Sequence, residues 1–191
     1  MTPLKQFTLW FQEAEESKKF RYPNAMMLST LRLNGYPDGR VLLLRGFDEE
    51  GFVFYTNSLS EKGQSLKTLP KGTLVFYWDA LGKQIRIQGD ISELSLEGSD
   101  DYFSRRPRGS QISAWASKQS EELSSRDELE KRVKEFEGKF EGGDVPRPPY
   151  WIGYCLKPHR YEFWEEREHR LHERTEYLRD GDTWTSRKLY P

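Results

Sequence analysis

Residues 25–57 read AMMLSTLRLNGYPDGRVLLLRGFDEEGFVFYTN. Ala25 to Leu33 is apolar enough for a strand, and Asn34-Gly35 is a hairpin signal because both residues tolerate the positive φ of a tight turn. Arg40 to Phe47 is the expected return strand. Asp48 to Gly51 turns the chain again, and Phe52 to Asn57 forms a third strand rich in aromatic and β-branched residues. Strands in tandem with turn residues between them predict an antiparallel sheet or barrel.

Reading outward, Thr2-Pro3 opens a helix as N-cap and first-turn proline. Leu4, Phe7, Phe11 and Ala14 share one face of it, and Pro23 ends the segment. Downstream of a polar stretch, Thr73–Trp78 and Gln84–Leu94 add two strands. A helix is expected from about Leu96 to Arg105, stopped by Pro107. Ser110 to Ser120 reads as a polar loop. Ser125 and Glu128 make a capping box, and Leu129, Val133, Phe136 and Phe140 form one face of the helix it starts, before Gly142-Gly143. Residues 144–149 are a proline-rich connector. Four more strands are expected near Trp151–Leu156, Arg160–Trp164, His169–Leu178 and Thr183–Leu189. The fold class is mainly β with flanking helices (α+β), as a single domain over residues 1–191.

Composition narrows the function. At 191 residues the chain buries roughly 70% of its surface on folding, enough for a core. No long apolar run predicts a membrane span, and no basic-then-apolar leader predicts secretion. Aromatic content of 14% argues against disorder. Thirty Lys+Arg against 31 Asp+Glu make a net charge of -1, so a nucleic-acid partner is not expected and any anion site must be local. The single Cys155 has no partner for an internal disulfide, which fits a reducing, cytoplasmic setting.

Several residues suit chemistry. Tyr102 and Arg106 are four apart on the expected helix, with Ser110 just past Pro107. A phenol, a guanidinium and a hydroxyl there suit a phosphate; the same residues also describe a solvated basic helix end. Arg170, His172 and Arg174 share one face of the expected strand, as for an anionic or electron-rich ligand, or as a solvated edge. His169 and His172 then face opposite ways and lack the H-E-x-x-H spacing, so no metal site is expected. Arg40 and Arg45 flank an apolar run with opposite parity unless a bulge intervenes. Gln84, Arg86 and Gln88 share a face, and Gln84 suits the amide-like edge of a ring. No dinucleotide, Walker or nucleophile-elbow pattern occurs.

Taken in order, RVLLLR (40–45), FYTN (54–57), YFSRRPRGSQ (102–111), SQISAWASKQS (110–120), EFW (162–164), HRLHER (169–174) and the ending LYP (189–191) resemble the pyridoxamine 5'-phosphate oxidase family. The resemblance covers nearly the whole chain. It implies an FMN-binding split β-barrel and a homodimer with FMN in the interface, residues 148–191 being the C-terminal dimerisation and active-site segment. The implied activity, in vitamin B6 metabolism, is oxidation of pyridoxamine or pyridoxine 5'-phosphate to pyridoxal 5'-phosphate. Oxygen is the acceptor and hydrogen peroxide the second product. By position, Arg40, Val41, Leu42, Leu43, Arg45, Tyr55, Thr56, Lys62, Gln84, Gln119, Ser120, Trp164 and Arg174 would hold FMN. Arg45, Tyr102, Arg106, Ser110, Arg170, Leu171 and His172 would hold substrate, with Arg170 and His172 flanking its ring as the catalytic pair.

This sequence departs from the family pattern in places. Arg45 stands for a usual lysine. Glu61 stands for an arginine near the FMN phosphate, where a carboxylate is expected to oppose the anion. Glu165-Glu166-Arg167 replaces Gln and glycines. The sequence starts at the first helix, so the arginine- and tyrosine-containing lid of many members is expected to be lacking. Two alternatives stand beside the oxidase: a non-catalytic FMN or pyridoxal-phosphate binding protein of the same fold, and a flavoenzyme acting on another ring such as a phenazine precursor.

Overall fold

Thr2 caps the first helix, α1 (Pro3–Glu16), its hydroxyl accepting from the Lys5 amide at 3.3 Å. Pro3, Phe7 and Ala14 turn inward from it. The computed structural model describes all residues, 1–191. After α1 come β1 (Ala25–Leu31), β2 (Pro37–Leu43), β3 (Gly46–Phe47) and β4 (Phe52–Asn57). Then follow α2 (Glu61–Thr68), β5 (Lys71–Trp78), β6 (Lys83–Glu93), α3 (Leu96–Ser104), α4 (Arg108–Ala116) and α5 (Arg126–Lys139). The chain ends with β7 (Trp151–Glu165), β8 (Glu173–Asp180) and β9 (Thr183–Leu189). No helix is long and apolar enough to cross a membrane.

All strand pairs are antiparallel, in the order β2-β1-β5-β6-β7-β4-β3, with β8 and β9 attached through β7. The expected mainly-β class with flanking helices is therefore the observed one. The core lies on one face of the sheet under α1. Phe7, fully buried, meets Phe47, Phe52 and Phe76 edge-on at 4.9, 4.8 and 5.2 Å. Such edge contacts match the positive ring edge of one residue to the negative face of the next.

Five local expectations need correction. The stretch from Ser110 to Ser120 is not a loop in its first half: α4 runs through it, because Gln111, Ile112 and Ala116 form a narrow buried face. The polar stretch after Asn57 contains α2, capped by Ser60, whose apolar content is a single buried Leu66. Arg40 to Phe47 is not one strand; pairing with β1 stops at Leu43, and Gly46–Phe47 pairs with β4 instead. The expected His169–Leu178 strand begins only at Glu173. Finally, Trp151–Leu156 and Arg160–Trp164 are one strand.

The reason for the last is a bulge. Gln88 faces Arg160 and Gly89 faces Pro158, so His159 has no partner on β6. The extra residue flips the side-chain parity. Ile152, Tyr154 and Leu156 are buried before it, Tyr161 and Phe163 after it. Pro158 thus sits in a long strand at the point where a ladder hydrogen bond is dispensable.

Gly89 is required there: a Cβ would lie 2.1 Å from the Lys157 carbonyl oxygen and 2.7 Å from Leu156 Cδ2. Gly89→Ala is therefore expected to lower unfolding free energy by roughly 1–3 kcal/mol. Gly138→Ala, in the last turn of α5 with open space around it, should gain up to about 1 kcal/mol. Urea unfolding of both variants checks the contrast.

Candidate active site

The loop after β4 turns back through Ser60, whose hydroxyl accepts from the Gly63 amide and fixes the first turn of α2. That turn carries Lys62 inward to 8% exposure. Its ammonium donates to Gln119 Oε1 at 2.8 Å and Ser60 Oγ at 3.1 Å, both neutral. No carboxylate pairs with it. Burial, and then the positive charge of Arg40, pull its pKa down to about 8. Thr56, buried on β4, donates to the same Gln119 oxygen at 3.4 Å. Arg40 on β2 is occupied by Asp38, Thr30 Oγ1 and the Leu28 carbonyl. Ser120, next to Gln119, holds a φ of 74°, an uncommon conformation for a residue with a side chain.

A second group stands beside the first. Tyr55 stacks on Tyr102 at 4.2 Å and on Trp151 at 5.0 Å, with the rings nearly parallel. Arg106 lies over Trp151 at 4.5 Å, and Arg45 approaches Tyr102 at 5.8 Å. Arg106 is off the helix, which ends at Ser104, so it reaches Tyr102's neighbourhood by the turn rather than by helical spacing. Its Nη1 is buried without a hydrogen-bond partner, and burial lowers its pKa, although a guanidinium stays charged. Ser110 lies in α4, half-buried, and bonds neither Tyr102 nor Arg106 through its hydroxyl. A cavity of about 390 Å³ joins the two groups, lined by Leu42, Tyr55, Thr56, Arg106, Gln119 and Trp151. Val41 is exposed and Leu43 half-buried.

A third group lies elsewhere, along β6, β7 and β8. Gln84 pairs across to Trp164, and Trp164 to Arg174. Trp164 packs against His172 at 4.5 Å. None of these residues lines the joining cavity. The segment before β8 is a tight turn, not a strand, with His169 at φ 57° and Arg170 at φ 60°. Arg170, His172 and Arg174 consequently do not share one strand face, and Arg170 and Leu171 project into solvent. Arg167 closes the base of this turn, its guanidinium reaching Glu165 at 3.0 Å and Glu173 at 3.1 Å. Its amide donates to His172 Nδ1 at 3.3 Å, which leaves the proton of a neutral imidazole on Nε2. Arg174 is held by Glu162 at 2.8 Å and by the Tyr190 carbonyl at 2.8 Å. Glu162 is itself buried; burial alone would raise its pKa, but hydrogen bonds from Arg86 and Arg174 outweigh it and hold it low.

The roles of Trp151 and Arg167 were not legible in the sequence. Trp151 looked like the start of a strand, and its place between Tyr55 and Arg106 depends on long-range pairing. Arg167 stood in the sequence only as part of the Glu165-Glu166-Arg167 departure from the family pattern, and its bridge from Glu165 to Glu173 depends on the turn between them.

Residues 13–140 match the description "Pyridoxamine 5'-phosphate oxidase", and residues 151–191 match "Pyridoxine 5'-phosphate oxidase C-terminal dimerisation region". The chain belongs to the pyridoxamine 5'-phosphate oxidase family. A pyridoxine/pyridoxamine 5'-phosphate oxidase from Rubrobacter xylanophilus is 50% identical over 99% of this chain and 87% of its own. One from Bordetella pertussis is 47% identical over 100% and 90%. PhzG from Burkholderia lata, solved with tetrahydrophenazine-1-carboxylic acid, superposes with a TM-score of 0.92 at 33% identity, covering 99% of this chain and 92% of that one. An FMN-binding, oxidase-related protein from Nostoc punctiforme shares the fold at a TM-score of 0.77 and 18% identity, over 100% and 99%. The expected split-barrel fold is therefore the family's own.

Lys62 makes a measurable pH signature. Its pKa in the folded chain, about 8, lies below the ordinary 10.5, so between these values the unfolded chain binds the extra proton. Unfolding free energy then rises with pH across that window, and the cost of the buried charge is complete below it. Relative to Lys62→Met, the wild type should gain stability as pH climbs from about 8 to 10.5. A constant difference in thermal midpoint across that range would contradict the assignment.

Proposed function

We propose that this chain is an FMN-dependent oxidase converting pyridoxamine 5'-phosphate or pyridoxine 5'-phosphate to pyridoxal 5'-phosphate. The observation that carries this reading is a pair of cations without anionic partners at one aromatic-walled cavity: Lys62, buried behind Gln119, and Arg106, half-buried over Trp151 with its Nη1 inaccessible. A buried unpaired cation is costly, and an entering phosphate relieves that cost. Two such sites suit two phosphates, one on FMN and one on the substrate.

FMN, when bound, would supply the redox chemistry, a two-electron oxidation of the substrate coupled to reduction of oxygen to hydrogen peroxide. The protein's own residues position. Lys62, Arg40, Thr56, Gln119 and Ser120 would hold the FMN phosphate, with Val41, Leu42, Leu43 and Tyr55 beside them. Tyr102, Arg106, Arg45 and Ser110 would hold the substrate phosphate. Fixing two rings in one orientation accounts for much of the rate, and no protein nucleophile is needed.

Gln84, Trp164, Arg170, Leu171, His172 and Arg174 stand apart from the cavity in one chain. In a homodimer, the partner would bring its copy of this group to the cavity, completing a site with FMN in the interface. Arg170 and His172 would then flank the substrate ring. The exposed position of Arg170 and Leu171 suits residues that act across an interface. A second reading, a flavoenzyme acting on a reduced phenazine precursor, draws support from the likeness to PhzG. Arg106 argues for the phosphorylated substrate, because a ring without phosphate leaves its buried Nη1 unpaired.

Protein reconstituted with FMN and given pyridoxamine 5'-phosphate in air should form pyridoxal 5'-phosphate and peroxide in equal amounts. Bound FMN with no product and no anaerobic bleaching by substrate would reject the oxidase. Arg170→Ala should lower turnover roughly a hundredfold, the scale of a lost positioning contact, while FMN content stays unchanged. Equal loss of both would refute the role given to Arg170.

A further inference from the structure

Glu61 opens α2 directly before Lys62, where a carboxylate should repel a phosphate. The structure shows it otherwise engaged, in an ion pair with Arg32. Arg32 follows β1 in the β1–β2 turn. Its backbone is fixed there: its amide donates to the Tyr36 carbonyl at 2.8 Å, and its carbonyl accepts from Gly35 at 2.9 Å. The side chain has no partner besides Glu61. Together these residues wall a cavity of about 370 Å³, with Gln64, Ser65, Gln119 and Ser120. Gln119, which lines this cavity with Arg32, is the acceptor of the Lys62 ammonium.

We propose that Arg32 is a cofactor-binding residue of this chain, a second cation for the FMN phosphate, delivered from the β1–β2 turn and aimed by Glu61. This rests on the reading of the Lys62 corner as the FMN phosphate site. Of the two carboxylates that line the cavity, Glu121 has Lys118 at 4.0 Å and Glu61 has Arg32, so neither is paired with the Lys62 ammonium. A guanidinium carries five donors in a fixed fork, so a bond to Glu61 leaves others for phosphate oxygens. Both partners are substantially exposed, 38% and 52%, so the pair reorganises at little cost when an anion enters. Glu61 is then a tether rather than a repulsive wall, and the expectation of opposition drawn from its position is reversed.

The test compares FMN with riboflavin, which lacks the phosphate, by quenching of flavin fluorescence in purified protein. Arg32→Ala should weaken FMN roughly tenfold or more, the worth of one charged hydrogen bond, and leave riboflavin affinity unchanged. Glu61→Gln keeps an amide oxygen that can aim the arginine, so FMN affinity stays close to that of wild type. The double exchange Arg32→Glu with Glu61→Arg keeps the pair with its charges reversed, and should bind FMN more tightly than Arg32→Glu alone. FMN affinity within twofold of wild type in Arg32→Ala would overturn the proposal. So would equal loss of FMN and riboflavin, which marks a structural role. Failure of the wild-type protein itself to bind FMN would instead overturn the underlying cofactor reading.

Discussion

Strand β7 is the constraint on which the rest depends. Along one edge it pairs with β6; along the other, its first half pairs with β4 and its second half with β8. One strand thereby joins the barrel wall to the C-terminal hairpin. The bulge at His159 permits this, because it rotates the second half relative to the first and increases local twist. Without that rotation, Tyr161 and Phe163 would leave the core and Glu162 would enter it. Trp151 at one end of β7 and Trp164 at the other sit in two different groups of site residues, placed by the same ribbon of backbone.

The two sides of the sheet solve different problems. The side under α1 is dry and aromatic. The other carries Glu162 and Glu176, both nearly inaccessible, among Arg86, Arg160, Arg174 and Arg187. These carboxylates are matched by guanidiniums, so burial does not neutralise them. Lys62 and Arg106 are the exceptions to that matching. Lys62 is buried among neutral neighbours and Arg106 is half-buried against aromatic ones; Arg106 lines the cavity, and Lys62 reaches it through Gln119. Local charge satisfaction on one side, and its incompleteness at two points, coexist in a chain of net charge -1.

The turn at residues 168–170 shows a related economy of structure. Two successive residues with side chains adopt left-handed backbone, at a cost of about 1–2 kcal/mol each. The Arg167 bridge to Glu165 and Glu173 spans the ends of the turn, and the Arg167 amide orients His172. Strained backbone of this kind is found where side-chain placement matters more than local stability. Glu165 and Arg167, which replace small or neutral residues of the family pattern, form that bridge.

Much of the architecture was legible in the residues themselves. Period-two apolar runs, Asn34-Gly35, Thr2-Pro3 and the Ser125–Glu128 box act within a few residues, so they mark strands, a hairpin and helix starts without a fold around them. The family motifs likewise named Lys62, Gln119, Tyr102 and Arg106, because chemistry needs particular functional groups. What lay beyond the sequence was everything set by distant pairing. Helices α2 and α4 are short and polar, and their helicity comes from docking one narrow face. The merging of two strands into β7 depends on β6 supplying Gly89 at the bulge. The stack of Tyr55, Tyr102 and Trp151 joins residues from three separate segments, and Glu61 changes meaning once Arg32 is seen beside it. Local pattern determines which elements form; only tertiary contact decides which charges remain unpaired, because pairing is a property of distances that the order of residues does not contain.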